Sequence, residues 1–323
     1  MPLSGKDNAL AATLTGIADL VRMRRTVPRL ADDERLDGKL ALVTGASSGL
    51  GFATAVDLAR RGARVLMADR RALPEAVRRA EALAGPGRFE PLPVDLADLA
   101  SIDALAAGLA QRGVRLDRLV LNAAIVPTQA RRTPQGLDEM LVVNYLSSFA
   151  LVGRLLDAGA LSPNERPRLI FVSSEAHRWA KGLAFGELVE RRDPALGKVL
   201  AYYGEYKLLL TTFAWELDRR LNAGGARRAG VFALCPGAMN TNIARDAPRL
   251  AQPLLRGVMR LFFQDPFRAN EPVLFFACSR AMEAESGVYL HQMTRKAPDA
   301  RAADPARGRA LWEETEALLA RLR

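Results

Sequence analysis

The sequence predicts an α/β fold, a doubly wound parallel sheet of about seven strands with helices on both faces. The first observation is a rhythm that begins at residue 39, where short β-branched or leucine-rich runs alternate with longer amphipathic segments. The second is a glycine-rich turn, ASSGLG, which links the apolar run LALVTG to a helical segment, as in a βαβ unit. The chain has 323 residues, 49% of them hydrophobic and 25% charged, so it is long enough to bury such a core.

The individual elements follow from this rhythm. Apolar runs such as RVLMAD, RLIFV and AGVFALC predict strands, which we expect near residues 40–44, 64–69, 89–94, 117–122, 168–173, 229–235 and 287–291. The segments between them carry apolar residues at helical spacing and predict helices near residues 49–61, 75–84, 98–112, 135–158, 202–222, 254–263 and 268–280.

The rhythm also predicts how the chain is divided. Residues 1–37 lie outside it, and we expect an extension with one helix at about 8–24 followed by an acidic linker, LADDERLDGK. Residues 38–323 are expected to form a single domain, with a substrate lobe at about 242–270.

Composition excludes several classes of protein. Cys235 and Cys278 lie far apart without a Cys-x-x-Cys motif, which argues against a disulfide scaffold or a zinc site and favours a cytoplasmic location. We expect no metal site. The net charge of +10 is spread along the whole chain, so it indicates an arginine-rich solvated surface rather than a nucleic-acid site. The apolar run at residues 9–18 is shorter than the roughly 18 to 20 residues of a spanning helix.

The glycine-rich turn is the first candidate site. Gly45, Gly49 and Gly51 can adopt backbone angles closed to other residues and let the main chain approach a pyrophosphate, which the following helix N-terminus stabilises. A tight turn without a ligand is the alternative. Because the turn opens the first βαβ unit, a Rossmann-type dinucleotide site is favoured.

The second strand ends in residues that bear on the choice of dinucleotide. Asp69 lies about 20 residues after the loop, where a carboxylate would bind the adenosine ribose hydroxyls and repel a 2′-phosphate. This favours NAD over NADP. Arg70 leaves NADP open, because its guanidinium could bind the 2′-phosphate instead.

Polar or turn residues follow the other strands at the edge where ligands bind in open parallel sheets. They are Asp95, Asn122, Ser173 with Ser174, and Pro236 with Gly237. The helix after the fifth strand carries Tyr203 and Lys207 four residues apart, hence on one face. An adjacent ammonium favours the phenolate and would lower the pKa of Tyr203 towards the range of a general acid/base.

Six motifs, TGASSGLG, LNAA, VNYL, VSS, YGEYK and PGAMNT, occur in the order and rough spacing of the short-chain dehydrogenase/reductase family, which the chain resembles over residues 38 to about 320. The segments VSSEAHR, ELDRRL and ALWEETEALL are similar to the branch of the retinol dehydrogenases and WW-domain oxidoreductases.

The resemblance implies catalytic roles for four residues. Tyr203 is the general acid/base, and Lys207 binds the nicotinamide ribose and lowers the pKa of the tyrosine. Ser174 holds the substrate oxygen, and Asn144 supports a water that relays protons. The implied cofactor contacts are Gly45, Ser47, Ser48, Gly49, Leu50, Gly51, Asp69, Arg70, Asp95 at the adenine, Leu96, Asn122 at the cofactor floor, Ala123, Lys207, Pro236, Gly237 and Thr241 at the carboxamide.

The chain also departs from the family pattern. Ala124 replaces the usual glycine of Asn-Asn-Ala-Gly, and Ser147 stands where many relatives have glycine. Most relatives in the retinol branch have a non-acidic residue at the position of Asp69 and prefer NADP. His177 is given no catalytic role, since a surface or capping position is favoured. Cys235 is interpreted as a small buried residue rather than a nucleophile, and Trp179 could line a pocket, although ordinary packing is favoured.

The segment after Thr241 predicts the substrate class. An apolar stripe within residues 254–263 is opposed by arginines, which fits a lid on an apolar pocket or a helix on an anionic membrane. We expect a bulky lipophilic alcohol, ketone or aldehyde as substrate and no nucleic acid. The alternatives are an NADPH-dependent carbonyl reductase and a non-catalytic nucleotide-sensing protein on the same fold. Peripheral membrane contact and a homo-oligomer both stay open.

Overall fold

The computed structural model describes residues 26–70, 73–127, 129–162, 165–181, 186, 189, 199–225, 228–237 and 264–322. The helices predicted at 8–24 and 254–263 and most of the predicted substrate lobe lie outside these residues.

One eight-stranded sheet in the order β3-β2-β1-β4-β5-β6-β7-β8 organises the described chain. The strands are β1 Leu40–Thr44, β2 Arg64–Asp69, β3 Phe89–Pro93, β4 Arg118–Leu121, β5 Arg168–Val172, β6 Gly230–Cys235, β7 Val288–His291 and β8 Thr294–Lys296. The first seven are parallel, and β8 pairs with β7 in the antiparallel direction. The predicted fold and its seven strands are therefore confirmed. The eighth strand, TRK, was missed because three polar residues carry no apolar pattern.

Helices cover both faces of this sheet. They are α1 Gly49–Arg60, α2 Leu73–Ala84, α3 Leu99–Gln111, α4 Glu139–Asp157, α5 Val199–Leu221, α6 Pro266–Ala269, α7 Glu271–Cys278, α8 Ala300–Ala303 and α9 Pro305–Arg321. Within α4, Val142–Leu146 form a π-helical turn. Short 3-10 turns occupy Glu175–Trp179, Ala223–Gly225 and Arg280–Met282.

Two helix boundaries differ from the prediction for local reasons. α4 begins at Glu139 rather than near 135, because the Asp138 side chain caps it by accepting a hydrogen bond from the Met140 N–H. The helix predicted at 268–280 is two helices, α6 and α7, which meet at Asn270. The C-terminal helix α9 was missed although its start is readable, since Asp304 caps it and Pro305 occupies its first turn.

The core lies in two layers, one on each side of the sheet. Alternate residues of β1 point to opposite layers, with Leu42 packed on one side and Ala41 and Val43 on the other. The central strands are buried along their whole length, as expected for a parallel sheet covered on both faces. This double cover leaves the carboxyl edge of the sheet as the place where polar side chains can meet.

Among the described residues, one helix is long and apolar enough to cross a membrane, namely α4 with a mean hydropathy of 1.3. Of that window, 78% is buried inside the domain. The apolar surface of α4 is therefore used in the core.

The described end of the N-terminal extension packs onto the domain. Leu36 and Val27 belong to the core layer that contains α7. The Glu34 carboxylate, also buried, accepts hydrogen bonds from the Ser279 hydroxyl at 3.0 Å and the Arg280 N–H at 2.8 Å. That residues 1–37 form an extension outside the domain stays a prediction. The contacts described here attach residues 26–37 to the domain.

Replacing Glu34 by alanine is expected to lower the free energy of unfolding by about 2 kcal/mol, because a charged acceptor with several buried donors is removed. The control is Asp33→Ala, which breaks an exposed ion pair with Arg280 and is expected to cost less than about 1 kcal/mol. Urea denaturation measures both, and equal losses would contradict the assignment of Glu34 as the anchor.

Candidate functional site

The carboxyl edge of the sheet opens into a cavity of about 450 Å³. It brings together most of the residues predicted from the sequence. Those that line it are Gly45, Ser48, Gly49, Leu50, Asp69, Arg70, Asp95, Leu96, Asn122, Ala123, Ser174, Tyr203, Lys207, Pro236 and Gly237. Ser47, Gly51 and Asn144 lie outside the lining, and Thr241 lies outside the described residues.

Glycine is required at the three loop positions for different physical reasons. Gly45 and Gly49 adopt φ angles of +68° and +55°, which favour glycine, and the space beside Gly49 is open. Gly51 is helical, and a Cβ there would lie 2.5 Å from the Asn122 amide nitrogen and closer still to the Gly45 carbonyl oxygen. The first two therefore shape the turn, while the third lets α1 approach the strand.

Asn122 joins the two strands below this loop. Its backbone N–H donates to the Thr44 hydroxyl at 2.9 Å, and its side-chain amide donates to the Thr44 carbonyl at 2.8 Å. The Ala123 N–H donates to the same hydroxyl at 3.1 Å. These bonds fix the end of β4 against the end of β1 and make the floor on which the loop rests.

Tyr203, Ser174 and Lys207 form a polar cluster at the other end of the cavity. The side chains of Tyr203 and Ser174 both line the cavity, where Ser174 acts to lower the pKa of the phenol, and the Lys207 ammonium lies 5.7 Å from the centroid of the Tyr203 ring. Lys207 is fully buried, and its Nζ donates to the Val172 carbonyl at 2.7 Å. A hydroxyl pair and a buried cation thus face the same space.

Burial moves the pKa values of this pair in opposite directions. It raises the pKa of Tyr203 above its usual range, although the Ser174 side chain opposes that change. It lowers the pKa of Lys207 to about 8. The expectation that Lys207 depresses the pKa of Tyr203 is therefore wrong in net direction, because removal from solvent outweighs an ammonium that is not bonded to the phenol.

Both polar atoms of the Asn144 side chain are hydrogen-bonded to the backbone of Ile125. Its amide oxygen accepts from the Ile125 N–H at 2.7 Å, and its amide nitrogen donates to the Ile125 carbonyl at 2.9 Å. The side chain thus fixes the loop after β4. The role of Asn144 in a proton relay stays a prediction, and the residue lies in the π-helical turn of α4.

Gly204 is a residue that the sequence prediction missed. A Cβ at this position would lie 2.6 Å from the Ala176 carbonyl oxygen. Only glycine lets α5 approach the 3-10 turn Glu175–Trp179 this closely, and the approach brings Tyr203 to Ser174. The signal that could have found it is the glycine directly after the tyrosine in YYGEYK.

His177 is also more than the surface or capping residue expected. The fully buried ring lies with Nδ1 2.6 Å from the Ser174 carbonyl, and its Nε2 accepts from the Asp299 N–H at 3.0 Å. The acceptor role of Nε2 requires the neutral ring with the proton on Nδ1. Burial lowers the pKa of His177, which agrees with the neutral form.

Two further predictions have a structural outcome. Cys235 lines the cavity rather than only packing, and burial raises the pKa of its thiol to about 11, so the neutral thiol prevails at pH 7. Trp179 is 56% exposed, so the packing role expected for it is wrong. In the described part of the chain, no group of three or more histidine, cysteine or carboxylate side chains is placed to hold a metal ion.

At the edge of β2, Asp69 is anchored to the loop. Its carboxylate accepts from the Ser47 N–H at 3.1 Å and from the Arg70 N–H at 2.6 Å. The Arg70 guanidinium lies 3.6 Å from the Asp95 carboxylate and 3.5 Å from the Glu139 carboxylate. The sequence prediction did not include Glu139, because it lies about 70 residues from Arg70 along the chain.

Comparison with known proteins gives one consistent result. Residues 39–183 match the short chain dehydrogenase family. Mouse retinol dehydrogenase 14 is 33% identical over 331 residues, with 96% of each chain covered. Mouse polyprenol dehydrogenase is 31% identical over 281 residues, covering 86% of this chain and 82% of that protein. The structure of the angucycline C-6 ketoreductase LanV with bound NADP superimposes with a TM-score of 0.58 and 28% identity, covering 80% of this chain and 95% of that one.

Replacing Gly51 by alanine is expected to lower the free energy of unfolding by about 1–3 kcal/mol, since the new methyl group overpacks the contact with Gly45 and Asn122. Gly153→Ala is the matched control, because Gly153 is also helical and has nothing within 4 Å of a Cβ. That change is expected to be neutral or stabilising. Denaturant unfolding compares the two, and a neutral Gly51→Ala would contradict the close contact.

His177 predicts a pH dependence of stability. The pKa of His177 is lowered in the folded state, so its contribution to the free energy of unfolding is present above the unfolded pKa of about 6.5 and is lost as the pH falls below that value. The loss is about 1.4 kcal/mol for each unit by which folding lowers the pKa. The difference in unfolding free energy between the native chain and His177→Gln is therefore expected to shrink between pH 7.5 and pH 5. A difference that stays constant over this range would show that the ring is not held neutral.

Proposed function

Because this chain belongs to the short-chain dehydrogenase/reductase family, in the branch of the retinol dehydrogenases, we propose that it interconverts a lipophilic alcohol and its ketone or aldehyde, with Tyr203 as the general acid/base. The family establishes the coarser activity, an NAD(P)-dependent oxidoreduction of CH–OH groups. The observation that supports the finer proposal is that Tyr203, Ser174 and Lys207 line the same cavity as the glycine loop.

The residues along the cavity fit a dinucleotide. The open space beside Gly49 and the start of α1 suit a pyrophosphate, and the Asp69 carboxylate lies at the edge of β2 where an adenosine ribose would bind. Lys207, which also lines the cavity, would bind the nicotinamide ribose. Bound NAD(P) supplies the hydride chemistry that the side chains of this protein lack.

Proton transfer is the part that this chain performs. The Ser174 hydroxyl binds the substrate oxygen and orients it towards the phenol of Tyr203. Burial keeps Tyr203 protonated at neutral pH, which prepares it to donate a proton to a carbonyl oxygen during reduction. During oxidation Tyr203 must first become the phenolate, and the positive charge of Lys207 favours that form.

The substrate class is proposed from the names of the relatives and from two exposed side chains. The relatives are dehydrogenases of retinol and of polyprenol. Trp179, 56% exposed, ends the 3-10 turn that starts after Ser174, and Leu200, 67% exposed, precedes Tyr203 by three residues on α5. Exposed apolar side chains on both elements that carry the reactive groups favour a lipophilic substrate.

Cofactor preference and location belong to the same proposal. Asp69 favours NAD, whereas Arg70 and the NADP bound to LanV are the observations on the side of an NADPH-dependent carbonyl reductase. A cytoplasmic location, peripheral membrane contact and a homo-oligomer stay predictions from the sequence.

Tyr203→Phe is expected to lower kcat/KM for retinol oxidation and retinal reduction by about 10²–10⁴-fold, because the acid/base group is lost. The affinity for NADH, followed by fluorescence titration, is expected to stay within about twofold. Tyr202→Phe is the matched control on the same helix turn and is expected to keep its turnover.

Two results would contradict this assignment in different ways. Native turnover by Tyr203→Phe would remove Tyr203 from the chemistry. Tight cofactor binding by the native protein without turnover of any lipophilic alcohol or aldehyde would favour the non-catalytic nucleotide-binding alternative.

A further inference from the structure

We propose that this site prefers NAD over NADP because Glu139 holds the Arg70 guanidinium, which would otherwise bind the 2′-phosphate. Glu139 is thus a positioning residue for cofactor specificity. This inference rests on the dinucleotide site proposed above and concerns its adenosine end.

The Arg70 guanidinium is in contact with two carboxylates. Its Nη1 lies between two carboxylates, 3.6 Å from Asp95 Oδ2 and 3.5 Å from Glu139 Oε1. The arginine directly after Asp69 is the group that could reverse the repulsion of a phosphate by that carboxylate. Because its charge is compensated by Asp95 and Glu139, this reversal is suppressed.

Glu139 differs from Asp95 in its burial and in a second partner. Its side chain is 8% exposed, whereas that of Asp95 is 39% exposed. Its other carboxylate oxygen contacts the Nε of Arg131, which also lines the cavity. Glu139 therefore holds two cavity arginines from the first turn of α4 and is shielded from solvent, so its ion pairs are screened less than exposed ones.

The local charge shows the consequence for a phosphate. Three carboxylates, Asp69, Asp95 and Glu139, meet two guanidinium groups, Arg70 and Arg131, which gives a net charge of −1 at this end of the cavity. A 2′-phosphate adds further negative charge there. Neutralising Glu139 removes the excess and releases both arginines, so binding of NADPH should improve while binding of NADH changes little.

The test is a fluorescence titration of the full chain with NADH and with NADPH, using the native protein, Glu139→Gln, Arg70→Gln and the double variant. Glu139→Gln is expected to raise the NADPH-to-NADH affinity ratio by about tenfold or more. Arg70→Gln alone is expected to change the ratio by less than about threefold, because Arg70 is already compensated. In the double variant the gain from Glu139→Gln is expected to be lost.

Glu90→Gln is the matched control. Glu90 also joins two arginines, with Arg112 at 2.6 Å and Arg64 at 3.9 Å, but it lies outside the cavity lining. Its replacement is expected to leave the ratio unchanged, which separates the local effect from a general change in net charge. Melting temperatures of all variants identify any that fail to fold, and Glu139→Asp then tests the same point with the charge kept and the reach shortened.

Several results would overturn the inference. An unchanged ratio in folded Glu139→Gln would show that Glu139 does not control specificity. A tenfold loss of NADPH affinity in Arg70→Gln alone would show that Arg70 already serves the phosphate in the native protein. If the folded native protein bound neither nucleotide, the dinucleotide site itself would be wrong, and that failure differs from the first two because both require measurable native affinity.

Discussion

The join between the ends of β1 and β4 is the constraint on which the rest of the site depends. Asn122 and Ala123 bond to the hydroxyl and the carbonyl of Thr44, and the Asn122 amide then lies against Gly45 and Gly51. Three of the seven residues from Gly45 to Gly51 are glycines, so few side chains define the shape of the loop. Its position is set by this floor below and by α1 beside it, so a displacement of Asn122 would move the phosphate end of the cavity as a unit.

The reactive end of the cavity is set by a second close approach. Gly204 lets α5 lie against the Ala176 carbonyl, and His177 connects the Ser174 carbonyl to the Asp299 N–H. These contacts bring Ser174 and Tyr203, which come from two different elements, to the same cavity. The same burial that fixes them raises the pKa of Tyr203 and lowers that of Lys207, so the geometry and the proton affinity of the pair have one physical origin.

The sequence predicts the features that depend on local residue spacing and does not predict those that depend on contacts between residues far apart in the chain. The seven parallel strands and the paired faces of α5 follow from periods of two and 3.6 residues, and the residues at the strand ends then meet because parallel strands share an edge. The net rise in the pKa of Tyr203 and the occupied side chain of Asn144 depend on burial and on the backbone of Ile125, which no local pattern contains. β8 has no apolar pattern at all, whereas α9 did carry the readable signal Asp304-Pro305.

The two ends of the cavity therefore obtain their selectivity in different ways. At the reactive end, Tyr203 and Lys207 are neighbours on one helix, and spacing alone brings them to one face. At the adenosine end, the adjacent pair Asp69 and Arg70 is ambiguous by itself, because one side chain repels a phosphate and the other attracts it. In the proposal above, Glu139 resolves the ambiguity from a distant point of the chain, since α4 brings a shielded carboxylate to the guanidinium. Under that proposal, the cofactor specificity predicted from the end of β2 depends on how α4 packs beside the sheet.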